Sequence, residues 1–423
     1  MNRRALLLAC VLFACKHEEV KAPPPAAAQP APKPDAHAAW KAVVDAPDRS
    51  QSDRDLDAGR HPAELLEFLD LKPGMKVCDM GAGGGYTTEL IARAVGPSGT
   101  VFMQNDPSWL GFLQKPIQDR LEHAAMKDVR RAEAPFADPM LTMEKDLDEV
   151  VLNTIYHDIA NTPVDRVRMN RIIFNVLQPG GAYVVIDSSA EDGSGLRDTS
   201  TLHRIDEAVV KAEVLKAGFK LVAEANFLRN PQDARDWNSS PPAATKAGKR
   251  GQSDRFALRF VRPEGSTAQV VPPALRLPSG VSPKHVTAEL SIDPSQTTLE
   301  GKETIDLQVD APVQLLWLNA DGLQILDTNP ASTVVDAQPG FVGLQFAAPL
   351  PAGATPLQIH WKGKISNTDT DGCFRQQEGG EWYAMTHFEP IGERRAMPSF
   401  DEPSYKIPWK ISLRVRKADA AFF

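Results

Sequence analysis

The chain has 423 residues, 42% hydrophobic and 24% charged, a globular composition that excludes wholesale disorder. Its formal net charge is −8, from 47 Lys and Arg against 55 Asp and Glu, and no long basic run occurs, so nothing points to a nucleic-acid partner. No apolar stretch reaches the roughly 18–20 residues that span a bilayer, and at about 100–200 residues per domain the length allows two or three domains.

Asn2-Arg3-Arg4 is a positive start, and Ala5 to Ala14 is a short apolar run of signal-peptide length. The run ends in Leu12-Phe13-Ala14-Cys15. It resembles a bacterial lipobox, which implies cleavage before Cys15 and lipidation there; residues 1–15 are then a signal peptide. Lys16, not Asp, follows the cysteine, so the resemblance implies an exported outer-membrane lipoprotein facing the periplasm, attached to the membrane through its lipid alone. Leu7-Leu8-Ala9-Cys10 is a second candidate with a shorter apolar core, and a plain secretory signal is the alternative. Residues 16–39 follow as a Pro/Ala-rich tether, extended at roughly 3.1 Å per residue. Of the four cysteines, Cys10 and Cys15 lie in the signal, and Cys78 and Cys373 fall in separate domains. Neither a disulfide framework nor a CxxC metal pair is expected.

Residues 40–262 read as an α/β Rossmann-like domain. Ser52 and Asp53 can cap a helix, and His61-Pro62 opens another with Leu65, Leu66, Phe68 and Leu69 on one face. Met75 to Met80 is a short buried strand that runs into Gly81-Ala82-Gly83-Gly84-Gly85-Tyr86. A helix over Thr87 to Val95 and a strand over Thr100 to Gln104 follow. Gly81, Gly83 and Gly85 let backbone approach a ligand, and the helix N-terminus offers free amides. A dinucleotide loop would carry a third glycine where Tyr86 stands. Asp79, two residues before the loop, suits the ammonium of S-adenosylmethionine (SAM) and opposes a phosphate. Leu147 to Thr154 and Ala182 to Asp187 are further strands.

This region resembles class I SAM-dependent methyltransferases, and within them a group of exported bacterial predicted methyltransferases. The matching runs are Arg49-Ser50-Gln51-Ser52-Asp53-Arg54 with Asp57 and Arg60, Asp79 to Tyr86, Tyr156-His157-Asp158, Leu177-Gln178-Pro179-Gly180-Gly181, Gly195 to Glu207, and Arg250 to Phe256. The resemblance implies SAM as cofactor. Asn105, with Asp106 adjacent, stands where the family usually has a ribose-binding acid, and Pro135-Phe136 forms the turn beneath the adenine. Tyr156, His157 and Asp158 follow a strand end, where this fold does its chemistry. Two readings stay open: His157 as general base oriented by Asp158, or Asn153, Tyr156 and His157 shaping a pocket in which proximity drives transfer. His203 reads as a helix-surface partner of Glu207, and Asp53, Arg54, Asp57 and Arg60 as a lid clamp or as helical ion pairs. SAM is made in the cytosol, so an exported enzyme needs imported cofactor, a different nucleoside-like ligand, or a binding role without catalysis.

A Pro-rich linker, residues 263–280, leads to period-two alternation over residues 281–423: Val286, Ala288, Leu290 and Ile292, then Ile305, Leu307 and Val309. An antiparallel all-β sandwich is predicted, incomplete because its last strands are not reached before Phe423. Thr386-His387-Phe388-Glu389-Pro390 and Arg394 to Pro403 resemble the N-terminal β-domain of aminopeptidase N-type zinc peptidases. The resemblance implies Glu389 as a buried clamp for a substrate's N-terminal amine, with His387 in place of the usual Gln, and a separate catalytic domain as partner. No HExxH occurs, so no zinc site is expected in this chain, and none of the motifs predicts another metal. Three functions follow: SAM-dependent methyl transfer to an unknown acceptor, the N-terminal portion of a zinc aminopeptidase, or a non-catalytic SAM- or nucleoside-binding lipoprotein.

Overall fold

The computed structural model describes residues 36–140, 145–338, 340–417 and 419–420; the signal, Cys15 and nearly all of the tether lie outside them. Among the described residues no helix is long and apolar enough to cross a membrane. Three helices come first: α1 (Ala36–Val44), α2 (Gln51–Arg60) and α3 (Pro62–Leu69). The cap of α2 is Ser50, whose hydroxyl accepts from the Asp53 amide, and not Ser52 or Asp53 as expected. Asp53 is instead turned inward to pair with Arg120. Pro62 starts α3, where its missing N–H costs nothing.

An alternating series follows: β1 (Lys76–Met80), α4 (Tyr86–Val95), β2 (Thr100–Asn105), α5 (Leu110–Leu121), β3 (Val129–Glu133), β4 (Leu147–Asn153), α6 (Tyr156–Ala160), α7 (Arg166–Val176), β5 (Leu177–Ser188), α8 (Glu207–Lys216), β6 (Lys220–Ala225), α9 (Pro241–Lys246) and β7 (Arg255–Val261). The sheet order is β3-β2-β1-β4-β5-β7-β6, with the first five strands parallel and β7 antiparallel to both neighbours. The central strands are largely apolar because both faces are covered. Cys78, Met80, Val150 and Leu152 pack on one side with Ile173 and Phe174 of α7, while Val77, Val151 and Val184 pack on the other with Leu66 and Leu90. The strand order reverses between β1 and β4. Chains leaving those two strands diverge, and the crevice between them is where open α/β sheets bind ligands.

The second domain contains β8 (Val281–Ser291), β9 (Thr298–Val309), β10 (Val313–Leu318), β11 (Gln324–Asn329), β12 (Ser332–Gln338), β13 (Phe341–Leu350), β14 (Gly353–Lys364), β15 (Gly372–Glu378), β16 (Glu381–His387) and β17 (Trp409–Arg414). A five-stranded sheet, β11-β14-β9-β8-β17, faces a three-stranded one, β10-β13-β12. Leu290, Ile305 and Ile359 from the first meet Leu316, Leu344 and Phe346 from the second in one core. Trp361 is fully buried there and lies over Gly301, where a Cβ would come within 2.3 Å of the indole. The indole N–H donates to the Ala396 carbonyl, which ties the 394–403 run to the core. β17 is an edge strand that runs parallel to β8.

Candidate functional site

A cavity of about 790 Å³ opens at the carboxyl ends of β1 and β4. β1 delivers Asp79 to its floor, and the chain then turns through Gly81, Gly83 and Gly85 at φ 68°, 57° and 81°. These are left-handed conformations that glycine adopts without penalty. A side chain at Gly81 would stand 2.8 Å from Ile155, whereas nothing lies within 4 Å of a Cβ at Gly83. Gly85 does not line the cavity; it packs against Met103 and Arg120 at the start of α4. Gln104, buried in β2, fixes the loop by accepting from the Gly81 amide at 2.9 Å and donating to the Ala134 carbonyl at 2.6 Å.

Asp79 is 1% exposed and accepts the Thr88 hydroxyl at 2.6 Å. Among the described residues no cation pairs with it. Burial therefore pushes its carboxyl up to about 7, with the Thr88 hydrogen bonds and the more distant Arg60 charge pulling the other way. Arg60 lines the same cavity with its guanidinium over the Tyr86 ring, 4.2 Å from the centroid. Burial lowers its pKa, and among the described residues it has no carboxylate partner. Asp53, Arg54 and Asp57 of α2 reach across to neighbouring segments, Arg54 donating to the Ala46 carbonyl. Asp53 pairs with Arg120 of α5, which also binds Glu89 of α4, and Asp57 pairs with Arg49 at 2.8 Å while accepting the Tyr86 hydroxyl at 2.6 Å. They are therefore not surface pairs along one helix.

The second wall comes from α6. Tyr156 and His157 are neighbours on a helical turn, so they point about 100° apart. Tyr156 faces inward, fully buried, donating to Glu213 at 2.7 Å and accepting from Asn170 at 2.9 Å. It does not line the cavity, and the expectation that placed it in the catalytic set is corrected. His157 does line it. Its Nδ1 lies 2.7 Å from Asp187, which also accepts the His157 amide at 2.9 Å. Its Nε2 lies 3.3 Å from Asp158, and the same Asp158 oxygen is 3.3 Å from Nδ1 of His203. The orienting carboxylate is thus Asp187 of β5, not Asp158 as the sequence suggested. Burial works against a charged imidazole, but Asp187 and Asp158 outweigh it and hold His157 up to about 10. Two flanking carboxylates favour the charged ring, which tells against the general-base reading and leaves the pocket-shaping one.

His203 is a further correction. It precedes α8 in a turn at φ 51°, and its ring meets His157 edge-on at 5.4 Å. Glu207 pairs instead with Lys211 and Arg229. Arg255, only 9% exposed, and Arg250 add positive charge to the cavity wall; Arg255 donates to the Gly59 carbonyl, and burial lowers it to about 10. Asn153 lines the cavity with its amide 3.3 Å from the Thr87 hydroxyl. The residues expected on the adenosine side have other partners. Asn105 is buried and uses its amide on both backbone groups of Gly83, at 2.8 and 3.2 Å. Asp106 is occupied by Ser108 and by the Phe136 amide, and Phe136 is packed edge-on against Trp109. None of Asn105, Asp106, Pro135 and Phe136 lines the cavity; Pro116, Arg120 and His123 do. Sequence reading missed Gln104 and Arg255 and gave Asp187 no role; a lone polar residue near the end of an apolar strand is the signal that marks Gln104 and Asp187.

In the second domain Glu389 and His387 are exposed, which corrects the expectation of a buried amine clamp. They lie at and beyond the end of the β15–β16 hairpin, whose two strands belong to neither sandwich sheet.

Residues 34–111 match the family described as Protein-L-isoaspartate(D-aspartate) O-methyltransferase, and residues 282–422 match the Peptidase M1 N-terminal domain. Aminopeptidase M1 of Arabidopsis thaliana is 33% identical over 157 residues, covering 33% of this chain and 18% of the relative. Aminopeptidase N of Acetobacter pasteurianus is 30% identical over 156 residues, covering 34% of this chain and 44% of the relative. The chain thus spans less than half the length of these curated relatives. Among solved structures, a SAM-dependent methyltransferase from Aquifex aeolicus aligns at 15% identity and a TM-score of 0.35, covering 52% of this chain and 97% of its own. A mutant M1 zinc metallopeptidase from Deinococcus radiodurans aligns at 22% identity and a TM-score of 0.27, covering 34% of each chain.

Proposed function

We propose that the α/β domain is a SAM-dependent methyltransferase whose acceptor carries an anionic oxygen. The observation that carries this reading is a buried carboxylate, Asp79, and a half-buried guanidinium, Arg60, neither in an ion pair among the described residues, on one cavity at the strand-order reversal. A free amino acid end supplies both missing partners: its ammonium fits Asp79 and its carboxylate fits Arg60. The open side of Gly83 gives such a chain room to pass. SAM carries that amino acid end, and when bound it supplies an electrophilic methyl group on a sulfonium. Asn105 and Asp106 are engaged within the protein, so this reading assigns them no ribose contact.

Arg250 and Arg255 stand on the acceptor side of the cavity. These groups attract and orient an anion. An oxyanion has its lone pair free for the methyl group and needs no base. The matched family's description, an O-methyltransferase for protein isoaspartate, names an acceptor of this charge. Calorimetry with SAM on the full chain should give one site, and transfer of labelled methyl to carboxylate acceptors should follow. No binding at millimolar SAM would overturn the reading, and binding without transfer to any envelope acceptor would favour the non-catalytic one.

Export and a lipid on Cys15 belong to the same proposal; Cys15→Ala should abolish labelling by radioactive fatty acid and release the protein from membranes. A second reading rests on the match at residues 282–422: the β-domain is the N-terminal part of a zinc aminopeptidase, with Glu389 exposed to meet a separate catalytic domain. An open frame encoding HExxH just downstream in the DNA would support it, and unrelated sequence there would oppose it.

A further inference from the structure

Nε2 of His157, Oδ1 of Asp158 and Nδ1 of His203 all lie within 4.8 Å of one another on the cavity wall. The Asp158 oxygen is 3.3 Å from each nitrogen. Ligand atoms held at about 2.0–2.2 Å from a divalent ion, at tetrahedral or octahedral angles, stand roughly 3.0–3.6 Å apart. Two of the three spacings already match, and a bound ion takes the place of the proton on His157 Nε2. His157 is also prepared as a ligand. Its Nδ1 is held by Asp187, which is fully buried, so Nε2 points at Asp158 and His203. A carboxylate behind the outer ring nitrogen is the usual support of a metal-bound histidine, fixing tautomer and direction. His203 sits in a left-handed turn that brings its ring to this wall from a segment remote in sequence.

We propose that His157, Asp158 and His203 bind a divalent transition-metal ion, zinc first among them, with its remaining coordination positions open to the cavity. Two nitrogens and one carboxylate suit zinc, iron, cobalt or nickel, whereas magnesium and calcium want oxygen alone. Three protein ligands leave at least one position free, and an ion there takes an anionic oxygen as its next ligand. The site needs neither HExxH nor CxxC, because the fold gathers the ligands and the spacing does not. It stands apart from the SAM reading, since none of its ligands is asked to touch that cofactor.

The test is titration of the chelator-stripped full chain with cobalt(II) and zinc. One cobalt per chain is expected, with the intense visible absorption of a four- or five-coordinate site. Asp158→Asn and His203→Ala should each weaken zinc binding by about 100-fold or more, and Asp187→Asn by about 10–100-fold. His360→Ala should leave binding unchanged, because His360 forms a separate exposed cluster with Glu300 and Asp327 at 2.8 and 3.0 Å. Thermal melting of each variant shows that the loss is not unfolding. Absence of stoichiometric cobalt or zinc binding overturns the proposal, as does wild-type affinity in folded Asp158→Asn and His203→Ala. Because metal is titrated without SAM, metal binding with failed SAM binding overturns only the methyltransferase reading, and the reverse overturns only this one.

Discussion

Replacing Asp79 by Asn should stabilise the chain while destroying its cofactor site. The folded protein holds the Asp79 proton up to about 7, whereas an unfolded carboxyl releases it near 3.8. The sign follows from the proton count. Between these values the folded state binds the proton and the unfolded state does not, so stability falls as pH rises through the window and is level above it. Each pH unit is about 1.4 kcal/mol, which makes the whole cost about 4 kcal/mol at pH 8. Asparagine has the same shape, carries no charge, and its Oδ1 can still accept the Thr88 hydroxyl. Asp79→Asn should therefore melt several degrees higher than the wild type at pH 8, with the gain shrinking toward pH 4. Binding of SAM should be lost by 100-fold or more, since a neutral amide cannot pair with the ammonium. In the wild type, SAM affinity should rise with pH up to about 7, because binding demands the carboxylate form. Differential scanning calorimetry across pH, paired with titration calorimetry, reads both effects. A variant that melts lower at pH 8, or that binds SAM like the wild type, refutes the reasoning.

Arg60→Met keeps the apolar stem against Tyr86 and removes the charge meant for the cofactor carboxylate; SAM affinity should drop about 10–100-fold, read by the same titration. Arg120→Ala leaves Asp53 and Glu89 buried without their shared cation, and should cost about 3–5 kcal/mol in a urea melt. Trp361→Ala empties the centre of the sandwich and should cost about 3–5 kcal/mol, measured as loss of the β-domain transition in calorimetry with the α/β transition unchanged.

Much of the scaffold was legible because its signals are local. The run from Lys76 to Val95 reads as strand, glycine loop and helix from apolar periodicity and from the glycines, and these are properties of a dozen consecutive residues. Period-two alternation in the β-domain is equally local. The Asp79 position followed from the same stretch. Misreadings occurred where two local rules competed. Ser50 and Ser52 both have cap chemistry, and the helix starts at Gln51 with Ser50 as its cap while Asp53 pairs with Arg120. His203 and Glu207 have helical spacing, but the helix starts too late to use it. Asn105 stands where an acid was expected, and nothing near it in sequence says that its amide will close on Gly83.

The sequence by itself determined that this chain carries an α/β domain with a glycine loop after an aspartate, then an all-β domain. Those features rest on contacts and dihedral preferences between near neighbours. Only the tertiary structure decided which side chains share the cavity. It sent Tyr156 into the core and His157 to the cavity from one helical turn, put Asp187 behind the histidine, and brought His203 and Arg60 to the same space. Each of those placements joins segments far apart in the chain, where charge, burial and strand order set the distance and sequence spacing carries no information.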